Sequence, residues 1–228
     1  MAFLSKIISW SLLVSISSWA IAHAQFRADP TDDFSFIYSK SSKNQEPFDL
    51  MSAGNVEQIL IDHIDLLPRS ESRKLARHLL RLCRTYRFDP AFILSMVQVE
   101  SGFRVKIESS AGAIGLMQLM PATAQVVAKR FGIRYTGARS LRDPFVNLSL
   151  GVAYLSYLRQ KYEGQSPYFH IAAYNLGPAK LDELRSQKSF KPTNTKIYYE
   201  KIKKGVPKLR FYNVESVGAL KAKGSFGV

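Results

Sequence analysis

Cysteine is all but missing from this chain of 228 residues: Cys83 stands alone, so no intrachain disulfide can brace the fold. It lies among Leu79, Leu80 and Leu82 on what reads as a buried helix face, which makes it a small core residue and not a catalytic thiol. No alternation of apolar and polar residues marks a half-buried strand, no repeat of solenoid length occurs, and no glycine-rich loop follows a strand. These gaps set aside a sheet-based nucleotide fold and a repeat array. A membrane-spanning helix needs roughly 20 apolar residues; the apolar run from Ile7 to Ala22 stops at 16 and is diluted by serines. Acidic side chains are also scarce, 18 against 32 lysines and arginines, for a formal charge of +14.

What is present begins with an export pattern. Lys6 precedes the apolar run, and small residues surround Ala22-His23-Ala24, so residues 1–24 read as a secretory signal peptide cut after Ala24. No cysteine stands beside that point, so a lipid-anchored form is not supported. The rest, 25–228, is one ordinary domain with extensions and carries +13. Such a charge implies an anionic partner. Nucleic acid is disfavoured by the export signal and by the lack of a module interleaving aromatic and basic residues. An exported protein instead meets the anionic polymers of a bacterial envelope, so contact with wall polymer or a membrane surface is expected, in the periplasm or cell envelope.

Residues 25–54 are polar, with Pro30, Pro47 and Gly54, and read as a flexible leader. A short amphipathic helix is expected from Asn55 towards Pro68. The next helix sets Leu75, Ala76, Leu79, Leu82 and Cys83 against a basic stripe of Arg73, Arg77, Arg81 and Arg84, a pattern that suits a solvated face. Asp89-Pro90 and Asp143-Pro144 are helix starts, and Gly102 and Gly132 are stops for helices ending near Glu100 and at Phe131. Ser166-Pro167 opens a helix that Gly177-Pro178 ends, and two more are predicted over about 179–185 and 195–204. From Gly205 the chain is basic and glycine-punctuated, a loosely ordered tail.

Glu100 stands at the end of the greasy run "AFILSMVQVESGF". A carboxylate there meets the negative end of the helix dipole and loses hydration to apolar neighbours, and both effects raise its pKa. That suits a general acid. In the loop after it, Gly112 and Gly115 allow unusual backbone turns, Gln118 offers an amide to sugar hydroxyl and acetamido groups, and Met117 offers an apolar wall.

Four pieces in order, "ES" at 100, "SSAGAIGLMQLMPATA" from Ser109, "DPFVNLSLGVAYLSYL" from Asp143 and "AAYNLGP" from Ala172, resemble the lytic transglycosylase domain of the soluble type, itself similar to goose-type lysozyme. The resemblance spans roughly residues 86–204. It implies an all-α, lysozyme-like helical domain at 69–206, with an N-terminal extension at 25–68 and a basic tail at 207–228. It further implies that Glu100 is the catalytic acid and base, and that Ser109, Gly115, Leu116, Met117, Gln118, Tyr174 and Asn175 line the substrate cleft. Tyr198 matches the tyrosine of the family's last motif, with Tyr199 beside it as the competing candidate. The departures are Arg104-Val105, where Asn-Pro is frequent, and Asn194, where Glu is common.

The implied reaction cleaves the bond between N-acetylmuramic acid and N-acetylglucosamine in peptidoglycan glycan strands without adding water, and leaves an anhydro ring. It uses no metal and no cofactor, and a monomer is expected. Two other readings stay open at this point. One is a hydrolase of the same bond, using Glu108 or Asp143 to activate water, although Glu108 reads as a rim or surface acid. The other is a non-catalytic peptidoglycan binder or scaffold.

Overall fold

A computed structural model describes residues 34–38, 51–64, 66–187 and 193–212. The expected signal peptide, most of the leader and the last sixteen residues lie outside the described residues. Within them the chain forms eight α-helices, with isolated bridges in place of strands. The helices are α1 (Ala53–His63), α2 (Arg69–Tyr86), α3 (Pro90–Ser101), α4 (Pro121–Phe131), α5 (Pro144–Lys161), α6 (Tyr168–Leu176), α7 (Pro178–Ser186) and α8 (Thr193–Arg210), with a 3-10 turn at Ala138–Arg142 before α5. No described helix is long and apolar enough to cross a membrane.

Local chemistry sets the helix ends. The Asp89 carboxylate accepts the Ala91 N–H at 2.8 Å, and Asp143 accepts those of Phe145 at 2.8 Å and Val146 at 3.4 Å. Proline follows each cap, where its missing N–H costs nothing. Gly102 and Gly132 end α3 and α4 in the left-handed conformation that a residue with Cβ resists.

Two helices are apolar nearly all round and form the centre. From Pro90 to Val97 every side chain of α3 is buried, and in α5 the buried set includes Leu148, Leu150, Val152, Leu155 and Leu158. A helix without a polar face has to be enclosed. Accordingly α3 packs most extensively on α8, while α5 takes α2, α4 and α6 around it. On α2 the buried side is Leu75, Ala76, Leu79, Leu80 and Cys83, whereas Leu82 is only partly buried. Burial drives the Cys83 thiol far above its usual pKa, so it stays protonated and inert. The stripe faces water as expected, with Arg73 paired to Glu57 at 2.8 Å.

Two expectations are corrected. Residues 34–38, inside the supposed flexible leader, are docked: Ile37 is fully buried, its carbonyl accepts the Asp89 N–H at 2.9 Å, and Phe36 lies against Phe92 and Tyr199. Four apolar or aromatic residues, Phe34, Phe36, Ile37 and Tyr38, anchor it against the core. The last helix runs through Gly205 and Pro207 to Arg210, past the predicted end near Lys204. An interior proline costs about 3 kcal/mol, and burial of Val206 and Leu209 offsets it at about 1.5–3 kcal/mol each.

Arg210 adds a tie at 2.9 Å to Asp89, which is fully buried. Burial raises the Asp89 pKa despite the opposing pull of Arg210 and the cap hydrogen bonds. Desolvation therefore outweighs attraction, and the pair matters because loss of one partner strands the other. Arg210→Met should destabilise the protein by about 3 kcal/mol in urea unfolding, and adding Asp89→Asn should recover part of the loss. A cost under about 0.5 kcal/mol would show that Asp89 is relieved in another way.

Candidate active site

Glu100 lies in the last turn of α3, partly exposed, where the helix presents its negative end. Tyr198, brought in by α8, donates its hydroxyl to Glu100 Oε1. Tyr174, on α6, stands close enough for the Glu100 charge to raise its pKa. Burial pushes the Glu100 carboxyl up to about 7, and the hydrogen bond from Tyr198 pulls the other way. Desolvation is the larger effect, so near neutrality the group is divided between acid and carboxylate. Both phenols are driven well above their ordinary range, first by burial and then by Glu100, and remain neutral donors.

The seam between α3 and α8 sets this meeting. The Ser95 hydroxyl donates to the Ile202 carbonyl at 2.7 Å, and a Cβ on Gly205 would sit 2.3 Å from Ser95 Oγ. The helices can approach this closely because position 205 has no side chain. Tyr198 is thereby resolved from its neighbour: Tyr199 is buried in the core, against Phe34, Phe36 and Tyr168.

The loop between α3 and α4 is held from α5 by Asn147, fully buried. Its side chain accepts the Met117 N–H at 2.8 Å and donates to the Ile114 and Leu141 carbonyls at 2.8 and 2.9 Å. Gly115, at φ +81°, lies so close that a Cβ would meet Asn147 Nδ2 at 2.4 Å and the Leu141 carbonyl at 2.5 Å. Reading the sequence did not single out Asn147; the available signal was an amide flanked by Val146 and Leu148 in an otherwise apolar helix.

The predicted site residues thus divide. Glu100, Tyr174 and Tyr198 come together. Gly115, Leu116 and Met117 do not offer the cleft a surface: all three are buried, and Met117 packs where a Cβ on Gly151 would lie 2.3 Å from its sulfur. The apolar wall expected of Met117 is corrected to a core plug, because the missing side chain on α5 leaves a hole that it fills. Its backbone still bears on the site, since its carbonyl accepts the Tyr174 hydroxyl at 2.8 Å. Ser109 accepts the Ala113 N–H at 3.0 Å and shapes the loop. Gln118, at φ +46°, donates to the Gly115 carbonyl at 3.0 Å. Asn175 is exposed in the last turn of α6.

The two other acids named from the sequence are occupied. Glu108 is exposed and paired with Arg142 at 2.9 Å, and Asp143 caps α5. Among the described residues no three His, Cys, Asp or Glu side chains are grouped to hold a metal ion.

Comparison with known proteins places this geometry. The family model for the transglycosylase SLT domain matches residues 81–197. The soluble lytic murein transglycosylase of Salmonella typhimurium is 34% identical over 60% of this chain and 21% of its own length. A putative soluble lytic murein transglycosylase of Haemophilus influenzae is 32% identical over 67% of this chain and 25% of its own. The chain therefore spans only about a fifth to a quarter of these relatives. The crystal structure of the 70 kDa soluble lytic transglycosylase of Escherichia coli superposes with a TM-score of 0.50, covering 77% of this chain and 31% of that one at 24% identity. That likeness establishes the fold: a lysozyme-like helical domain.

Replacing Tyr198 with Phe removes the bond that favours the charged carboxylate, so the Glu100 midpoint should move above about 7. Carbon-13 NMR of the side-chain carboxyl reads this directly, and an unmoved midpoint would deny the contact. Stability has its own sign. Below about pH 4.5 the carboxyl is protonated whether the chain is folded or not; between 4.5 and about 7 the unfolded chain releases the proton first. Stability therefore falls as pH rises through that window, and Glu100→Gln should be the more stable protein at pH 8, by up to about 3 kcal/mol in thermal unfolding.

Proposed function

Because this chain belongs to the transglycosylase SLT domain family, we propose that it is a peptidoglycan lytic transglycosylase acting in the bacterial cell envelope. It cuts the β-1,4 bond between N-acetylmuramic acid and N-acetylglucosamine without water and leaves a 1,6-anhydro end. The observation that carries this reading is a single carboxyl group poised near neutrality, at about 7, beside two neutral tyrosines in this fold.

The chemistry follows from one group used twice. Protonated Glu100 gives its proton to the bridging oxygen as the bond to the anomeric carbon breaks. The acetamido group of the muramic acid stabilises the cation-like carbon, so no second carboxylate is needed. Glu100, now charged, takes the proton of the sugar's own C6 hydroxyl while that oxygen closes on the anomeric carbon. The group ends as it began, and a pKa near the working pH serves both half-steps. Tyr198 steadies the charged form between them. Met117 and Asn147 support the reading as scaffold, while Gln118 and Asn175 are the polar groups of the loop and of the end of α6 that are left to meet sugar.

A hydrolase would need a carboxylate to activate water. Glu108 and Asp143, the acids proposed for that role, are committed to Arg142 and to the α5 cap, which favours the water-free route. Purified sacculi digested by the wild-type protein should release fragments with anhydro ends, identified by mass. Glu100→Gln should lower that release by at least about 100-fold while binding of sacculi is retained. Products gaining the mass of water would establish hydrolysis instead, and undiminished cutting by Glu100→Gln would remove the enzyme reading altogether.

A further inference from the structure

A second cavity lies at the far end of α5, where the turn into α6 meets the docked segment 34–38. Its volume is about 330 Å³, and its lining includes Tyr38, Arg159, Glu163, Gln165 and His170. The mechanism above uses none of them. Arg159 is half-buried, with its guanidinium carbon 4.5 Å from the Phe88 ring centre and 5.7 Å from that of Tyr38. Among the described residues no carboxylate pairs with it. Burial holds its pKa below the ordinary value, and the nearby charge of Arg87 acts in the same direction. Among the described residues this is a placed cation without a counter-ion.

Two neutral groups are also unmatched. His170 is 2% exposed and its Nε2 has no hydrogen-bond partner; Oε1 of Gln165 is buried and equally without one. Burial, reinforced by Arg159, pushes the His170 pKa down to about 3, so at neutral pH the ring is uncharged and Nε2 can present one N–H. An unmatched buried polar atom costs about 1–3 kcal/mol. Water can satisfy Nε2 and Oε1, but it cannot neutralise Arg159.

The geometry points to a binding site for the C-terminal carboxylate of a small peptide, with Arg159 and His170 receiving the carboxylate and Gln165 accepting the adjoining amide N–H. A guanidinium pairs with a carboxylate through two parallel hydrogen bonds. A peptide end, unlike a lone carboxylate, also carries an N–H donor beside the charge, which matches the acceptor left open on Gln165. Glu163, exposed at the rim, disfavours a dianion such as phosphate. A cavity near 300 Å³ is at the small end of ligand sites, which limits the occupant to a small terminal residue or two. The identification of the occupant rests on the proposed function, because the stem peptides of peptidoglycan end in free carboxylates. On that reading the site holds a stem away from the cutting centre and orients the strand.

The test uses the full chain with its histidine ring nitrogens labelled and follows the His170 Nε2 resonance by NMR. D-alanyl-D-alanine should shift it saturably, and the same dipeptide with its C-terminus amidated should bind about tenfold more weakly or worse, the loss of a charge-assisted pair. Acetate, a carboxylate with no N–H beside it, should bind more weakly than the dipeptide. Arg159→Gln should weaken the dipeptide by about tenfold. Because Arg159 also covers two rings and its loss can unfold the protein, Gln165→Leu serves as the second variant and should erase the preference for dipeptide over acetate. Equal binding of dipeptide and amide, equal binding of acetate and dipeptide, or no saturable shift overturns the proposal. The assay requires no catalysis, so dipeptide binding with uncut sacculi would sink the enzyme reading alone, and the converse would sink this site alone.

Discussion

The hydrogen bond between Tyr198 and Glu100 spans two helices that are 98 positions apart in sequence at that point, and the site depends on it. A carboxyl at the end of an isolated α3 would be hydrated and titrate as an ordinary acid. Packing of α8 along α3 removes the water, and the same packing supplies the phenol that keeps the charged form within reach. Opposed effects of unequal size leave the pKa near neutrality. Everything that holds the seam closed is therefore part of the acid: the missing side chain at Gly205, the Ser95 hydroxyl on the Ile202 carbonyl, and Arg210 on Asp89 at its far end.

A second framework positions the loop that faces the acid. Asn147 makes three hydrogen bonds to backbone, at the Met117 N–H and the Ile114 and Leu141 carbonyls, and so couples the 112–118 loop to the central helix α5. Gly115 and Gly151 are small for the same reason, one where backbone meets an amide and the other where it meets the Met117 sulfur. Precise placement of a proton donor needs such rigidity, because proton transfer falls off when the donor lies outside hydrogen-bond reach.

Charged groups divide by their exposure. Exposed arginines on α2 form a solvated basic face. Asp89 is taken out of water and Arg159 is half-buried, each in a setting that opposes its ionised form. Asp89 has an ion-pair partner, and among the described residues Arg159 has none.

Helix positions were legible from the chain alone wherever local chemistry decides them. Asp-Pro starts and glycine stops act through bonds spanning one turn, so α3 and α5 begin, and α3 and α4 end, where the residues place them. The raised pKa of Glu100 was legible as well, since an apolar helix ending in a glutamate announces desolvation. Docking of residues 34–38, extension of α8 through Pro207, the choice between Tyr198 and Tyr199, and the conversion of Met117 from cleft wall to core plug were decided by the tertiary structure. Each depends on what a distant element presents: Phe92 to Phe36, Asp89 to Arg210, Glu100 to Tyr198, Gly151 to Met117. A helix period reports which side of a segment is apolar, but burial energy is realised only against a partner surface, and that partner is set by the packing of the whole chain.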